Sequence, residues 1–194
     1  MTRCDALLAE VRACTLCAPQ LPLGPRPVLQ LHPRARLLIA GQAPGRKVHA
    51  SGIPFDDASG ERLRDWLGLG REVFYDPRQV AILPMGFCYP GTGRSGDLPP
   101  RPECAPAWRA PLLAQLRHLQ LTLLVGQYAQ AWHLGGPKRP LTETVRDWRR
   151  GWDAGLLPLP HPSPRNNLWL RRNPWFEAEL LPALRERVRA ALAD

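Results

Sequence analysis

At 194 residues, 44% hydrophobic and 22% charged, the chain is long enough for one domain with a sizeable core, spanning residues 1–194, and too short for two. Its 26 Lys and Arg against 17 Asp and Glu give a net charge of +9, which favours a polyanionic partner, nucleic acid first. Nothing reads as a signal peptide or a membrane span, since the longest apolar runs, such as 121–126, are strand-sized; a cytoplasmic, monomeric protein is expected.

In chain order, an amphipathic helix is predicted from about Cys4 to Cys14, with Leu7, Leu8 and Val11 on one side. It runs into Cys14-x-x-Cys17, the first of two separated cysteine pairs; Cys88 and Cys104, with fifteen residues between them, form the second. Four-thiolate ligation of an iron–sulfur cluster tolerates such irregular spacing. A zinc ribbon would bring a second tight pair, and buried inert thiols are the third reading. A reducing compartment agrees with cysteines held as thiolate ligands, and Cys4 reads as a free thiol. Residues 35–40 (ARLLIA) form a short apolar run that stops at Gly41, as a buried parallel strand does. After a long Gly/Pro loop, a helix is predicted over Ser59–Leu69 with Ser59 as its cap. A second strand is predicted over Val80–Phe87, a helix over Ala105–Leu119, a third strand over Leu121–Val125, and a short helix through Trp132. Leu156–Leu159 is the fourth strand, and a helix from Trp175 to Leu192 closes the chain.

Strands separated by helices predict an α/β fold, a mainly parallel sheet with helices on both faces. Gly41–Gly45 follows the first strand, Cys88 the second, Gly126 the third and His161 the fourth. In open α/β sheets the ligand crevice lies at the carboxyl ends of the strands. The loops Gly-Gln-Ala-Pro-Gly (41–45) and His-Pro-Ser-Pro-Arg-Asn-Asn (161–167) are therefore expected to converge on one pocket. The first loop by itself is either a tight turn or an anion cradle, and it lacks the spacing of a nucleotide-binding loop. The second is a proline-fixed loop full of donors, in which Ser163, Arg165, Asn166 and Asn167 suit phosphate contacts.

These residues together resemble the uracil-DNA glycosylase superfamily, and its iron–sulfur branch in particular. That branch has an early cysteine pair, a Gly-Glu-Gly/Ala-Pro-Gly motif, Gly-x-Pro-Phe, a second cysteine pair and His-Pro. This chain has Gly41-Gln42-Ala43-Pro44-Gly45, Gly52-Ile53-Pro54-Phe55, then Ser59-Gly60, the four cysteines in order, and His161-Pro162-Ser163. The resemblance implies a three-layer α/β/α fold around a four-stranded parallel sheet. It also implies excision of a flipped base from DNA and a 4Fe-4S cluster held by Cys14, Cys17, Cys88 and Cys104. By the same resemblance Gly41, Gln42, Ala43, Lys47, Phe55, Pro84 and His161 form the base pocket, with Gln42 and His161 as its catalytic positions. Phe55 would stack on the base, the alternative for it being plain core packing. His161 would stabilise the charge developing on the leaving base. Ser163, Arg165 and Asn166 would face DNA, Arg165 at the position of a wedge residue.

The chain departs from the branch at three of these positions. Gln42 stands where the motif acid is expected, Lys47 where a second acid is expected, and Pro84 where a pyrimidine-reading Asn is expected. Glutamine orients water or reads a base edge but is no general base. A neighbouring branch also lacks the first acid, so the chain looks like a hybrid. Asp56 and Asp57 are read as surface loop acids that are candidate substitutes for the base, and His49 as an exposed loop residue. Arg171 and Arg172, with Trp169 and Trp175, suit a DNA-facing edge or a solvated helix whose tryptophans pack inward. The expected activity is removal of uracil or a related deaminated base. The alternative is an inactive relative that binds DNA through the same cleft.

Overall fold

A computed structural model of the protein describes residues 2–136 and 139–193. Helix α1 (Arg3–Arg12) opens on a capping box: Thr2 accepts the Asp5 N–H, and the Asp5 carboxylate accepts the Thr2 N–H. Strand β1 (Leu37–Ala40) follows, then helices α2 (Arg46–Ser51), α3 (Ala58–Leu67) and α4 (Arg71–Phe74), and strand β2 (Val80–Ile82). A short hairpin, β3 (Thr92–Gly93) and β4 (Gly96–Asp97), precedes helix α5 (Cys104–Leu113) and strand β5 (Leu121–Val125). Helices α6 (Gln127–Leu134) and α7 (Leu141–Arg146), strand β6 (Leu156–Leu159), and helices α8 (Asn167–Arg172) and α9 (Leu181–Leu192) complete the order.

The expected α/β architecture is present as a four-stranded, all-parallel sheet in the order β2-β1-β5-β6. Alternation along β1 sends its residues to opposite faces. Leu37 and Ile39 join a core with Leu63, Trp66 and Leu67 of α3 and Leu184 and Val188 of α9. Leu38 joins Val11 of α1 and Leu112 of α5 on the other face. Helices thus cover both faces, which is why every β1 and β5 residue is buried and the strands read as continuous apolar runs. The order reverses between β1 and β5, so the loops leaving those two strands border the crevice. Pro158 sits in β6, an edge strand, where a missing N–H is tolerated.

Several boundaries differ from expectation for identifiable reasons. Strand β2 ends at Ile82, short of the expected Phe87; the Pro84 nitrogen faces away from β1, on the side where the Ile82 N–H meets Gln30 O (2.8 Å), so its missing N–H leaves the bonds to β1 intact. The chain still follows β1's exit loop, with Leu83 N–H on Ile39 O (3.0 Å), Met85 N–H on Gly41 O (2.9 Å) and Gly86 N–H on Gln42 O (3.0 Å). Helix α3 is capped by Asp57, not Ser59, through the Gly60 N–H at 2.9 Å. Helix α5 stops at Leu113, short of the expected Leu119, because the chain must turn into β5 at Leu121. The last helix begins with a wide turn over Phe176–Leu180 before regular α-helix starts at Leu181. Widening there relieves the clash that the Pro182 ring would make with the preceding turn.

Arg109 is 1% exposed and lacks a carboxylate partner among the described residues. From α5 its guanidinium donates to Leu83 O (3.0 Å), Pro84 O (3.2 Å) and His133 Nε2 on α6 (2.7 and 3.0 Å). Burial and this guanidinium push His133 down to about 4, which keeps the imidazole a neutral acceptor. Arg109→Met is expected to lower unfolding free energy by roughly 2–4 kcal/mol, because the two carbonyls lose their donors in the interior. Urea denaturation measures this; an unchanged midpoint would show that water replaces the guanidinium.

Candidate functional site

A cavity of about 560 Å³ lies at the carboxyl ends of the strands. Gly41–Gly45 leave β1 along its floor, Phe55 and Asp57 enter before α3, and Pro84 follows β2. Ser95–Asp97 of the hairpin, Gln127 at the start of α6, and His161, Ser163, Arg165 and Asn166 after β6 complete the wall. The two loops predicted to converge therefore do so. Gly41, Gln42, Ala43, Phe55, Pro84, His161, Ser163, Arg165 and Asn166 all line this one cavity. Lys47 stands exposed on α2, outside the lining.

His161 has its Nδ1 accepting the Ser163 N–H at 3.2 Å. That bond assigns the neutral tautomer with hydrogen on Nε2, leaving Nε2–H as the donor. Burial lowers the His161 pKa from the ordinary 6.5, against the opposing pull of Asp57 and Asp97. The loop that carries it is held from within: Asn166 Nδ2 donates to His161 O (2.7 Å), and Ser163 Oγ accepts the Arg165 N–H (3.2 Å). Arg62 of α3 donates to Ser163 O at 3.2 Å. Ser163 and Asn166 thus shape the loop with their side chains. Arg165 reaches across the cavity mouth to Ser95 O at 2.6 Å, joining the hairpin to the histidine loop.

Two carboxylates flank Gly45. A Cβ there would lie 3.3 Å from Asp97 Oδ2 and 3.9 Å from Asp57 Oδ2. Asp57, expected as a surface loop acid with a substitute base as the alternative, is half-buried, fixed by its cap bond through Oδ1, and lines the cavity. Asp56, equally half-buried, does not line the cavity and lies 3.5 Å from Arg71. Asp97 was not singled out from the sequence, and no sequence signal marks it, because only the hairpin brings it to the cavity. His49 is half-buried on α2 with Nδ1 unpartnered, not exposed on a loop, and it does not line the cavity.

Cys14, Cys17, Cys88 and Cys104 line a second, smaller cavity, while Cys4 is buried separately against α5. None of the five is in a disulfide. Trp108 Nε1–H donates to Cys14 Sγ (3.2 Å) and the Phe87 N–H to Cys104 Sγ (3.4 Å). Burial pushes the Cys88 thiol up to about 11 and that of Cys104 to about 12. Among the described residues no three His, Cys, Asp or Glu side chains surround a point closely enough for a single metal ion.

On α8, Arg171 and Arg172 are exposed. Trp169 and Trp175 pack inward, edge-on to Phe176 at 5.7 and 6.4 Å between ring centres. No helix among the described residues is long and apolar enough to cross a membrane. Residues 30–185, which include every cavity-lining residue except Val28, match the family model of the Uracil DNA glycosylase superfamily. The first cysteine pair lies outside the matched span.

Proposed function

The chain belongs to the uracil DNA glycosylase superfamily, and from that membership we propose that it removes uracil or a related deaminated base by flipping the nucleotide into the 560 Å³ cavity. Membership implies a DNA substrate and glycosylase action on uracil-type lesions. The observation that carries the mechanism is the Ser163 N–H bond to His161 Nδ1, which leaves Nε2–H to donate to a base carbonyl oxygen. The glycosidic bond breaks heterolytically. Its electron pair passes to the base, where the His161 donor meets the growing negative charge, and C1′ becomes an oxocarbenium ion. Water adds to C1′ and gives a proton to the Asp57 carboxylate; the departing base takes a proton from solvent. Asp57 thus supplies the acid that Gln42 cannot, and Gln42 is left to orient water or read the base edge. Phe55 offers its ring for stacking, and Pro84 closes the wall without a side-chain hydrogen bond. Ser163, Arg165 and Asn166 bring the loop to the phosphates.

The four cysteines fit a 4Fe-4S cluster. In support, the thiols come from three chain segments to one cavity without a disulfide, and two sulfurs already accept N–H bonds. Cys14, Cys17, Cys88 and Cys104 would hold the cluster, whose several metal atoms would not require the sulfurs to crowd around one point as a single ion would. When bound, the cluster supplies a cross-link between the amino-terminal segment, the β2 exit loop and α5.

The test is single-turnover excision from labelled oligonucleotides carrying uracil, hypoxanthine or xanthine, single- and double-stranded. Cleavage names the base; no cleavage with DNA still bound would replace this reading with a binding-only relative. The rate should be level through neutral pH and decline only below pH 6.5, since His161 is neutral until its lowered pKa is reached. Protonation would place a hydrogen on Nδ1, against the Ser163 N–H. A midpoint at or above 6.5 in the rate profile, absent from His161→Gln, would contradict the neutral donor.

A further inference from the structure

Phe55 is the one non-glycine residue with positive φ among the described residues, at 56°. For a bulky side chain this backbone conformation is unfavourable and persists only where its surroundings enforce it. Three contacts do so. Gly60, in the first turn of α3, lies against the Phe55 carbonyl so closely that a Cβ there would be 1.7 Å from the oxygen. The Tyr75 hydroxyl donates to the same oxygen at 3.2 Å. Arg64 Nη1 in turn donates to Tyr75 Oη at 3.2 Å, which occupies the hydroxyl oxygen and aims its hydrogen at Phe55.

The partners are themselves fixed. Arg64 is buried, 5.5 Å from the Phe74 ring centre and 5.7 Å from that of Tyr75. Arg71 lies 5.1 Å from the Tyr75 ring centre. Phe74, fully buried, meets Phe55 edge-on at 6.3 Å and Tyr75 edge-on at 5.0 Å. On the cavity side the Phe55 ring passes so near Gly41 that a Cβ there would be 3.3 Å from Cζ. The carbonyl is therefore anchored on one side while the ring is presented on the other.

We propose that Tyr75 is a positioning residue: its hydroxyl, oriented by Arg64, holds Phe55 in the left-handed conformation that directs the ring into the base cavity. This rests on the reading that Phe55 stacks on the flipped base. No catalytic contact is assigned to Tyr75, which does not line the cavity.

Tyr75→Phe tests it, because the ring and its contacts with both arginines are kept while the hydroxyl is lost. Hydrogen exchange in the free protein should accelerate about tenfold over residues 52–58, the loss of one net hydrogen bond, with the sheet amides unchanged. In excision, the substrate concentration for half-saturation should rise about tenfold. The saturated rate should change less, since stacking serves bound substrate and transition state alike. In a Phe55→Ala background Tyr75→Phe should have no further effect on excision. Unchanged exchange over 52–58, or an equal excision loss with and without Phe55, would overturn the proposal. Faster exchange in Tyr75→Phe, alongside a wild-type protein that excises no base, would overturn the stacking reading alone, because the hold on Phe55 is read without DNA.

Discussion

His161→Ala is expected to reduce single-turnover excision by about 10²–10³-fold, the loss typical of removing one preorganised donor from a developing anion. The effect should fall on the chemical step. Nothing places His161 on the DNA backbone, so binding of an undamaged duplex should be unchanged. Loop collapse is the competing cause of a loss, and His161→Gln separates the two by restoring a donor on a side chain of similar reach. Partial recovery with glutamine identifies the donor; equal loss in both variants, with unaltered thermal unfolding, would show that the imidazole ring itself is needed. Full activity in His161→Ala would remove the residue from the mechanism and leave Asp57 and the cavity walls to account for catalysis.

Cys104→Ser is expected to have the largest effect on the fold. The wild-type protein should carry about four irons and matching sulfide with visible thiolate–iron absorbance; the variant should lose most of both and several kcal/mol of stability, since ligation in such a site is folding free energy. The loss should reach the base cavity through α5. Cys104 begins that helix and Arg109, further along it, holds the Leu83 and Pro84 carbonyls behind the cavity wall. Excision by Cys104→Ser should therefore fall together with stability, whereas Cys4→Ser should retain iron. A wild-type protein free of iron and sulfide would overturn the cluster. So would a Cys104→Ser protein with its iron content intact.

Two polar loops, at 41–45 and 161–167, border the cavity, and neither is specific by any single residue. Their convergence was legible because each follows an apolar run ending in glycine or at a proline-rich turn, and a parallel sheet brings the carboxyl ends of its strands to one edge. Gln42 and His161 could therefore be placed at one site from the pattern alone, whereas Phe55 and Pro84 were placed there only by the family resemblance. Asp57 could not. As one of two adjacent acids after Phe55 it has the composition of a surface loop, and its cap bond to Gly60 is what turns Oδ2 toward the cavity. Lys47 differs in the opposite direction: the family resemblance put it at the pocket, but the chain forms helix α2 there and leaves it exposed, outside the lining.

The sequence by itself determined the α/β class, the four strand positions and the two polar loops, because these follow from local periodicity and from glycine and proline at strand ends. It also set out two separated cysteine pairs, while their grouping as one ligand set came from the family resemblance and their meeting at one cavity from the fold. Tertiary structure alone decided where β2 stops beside Pro84, which of two adjacent aspartates faces the cavity, and how Arg109 and Tyr75 brace its walls. These depend on side chains far apart in the chain meeting at hydrogen-bonding distance, as Tyr75 meets Phe55 across 20 positions and Arg109 meets Leu83 across 26. Such contacts have no period and leave no local pattern; they exist only once the packed sheet and helices have fixed which backbone groups are buried and in need of a partner.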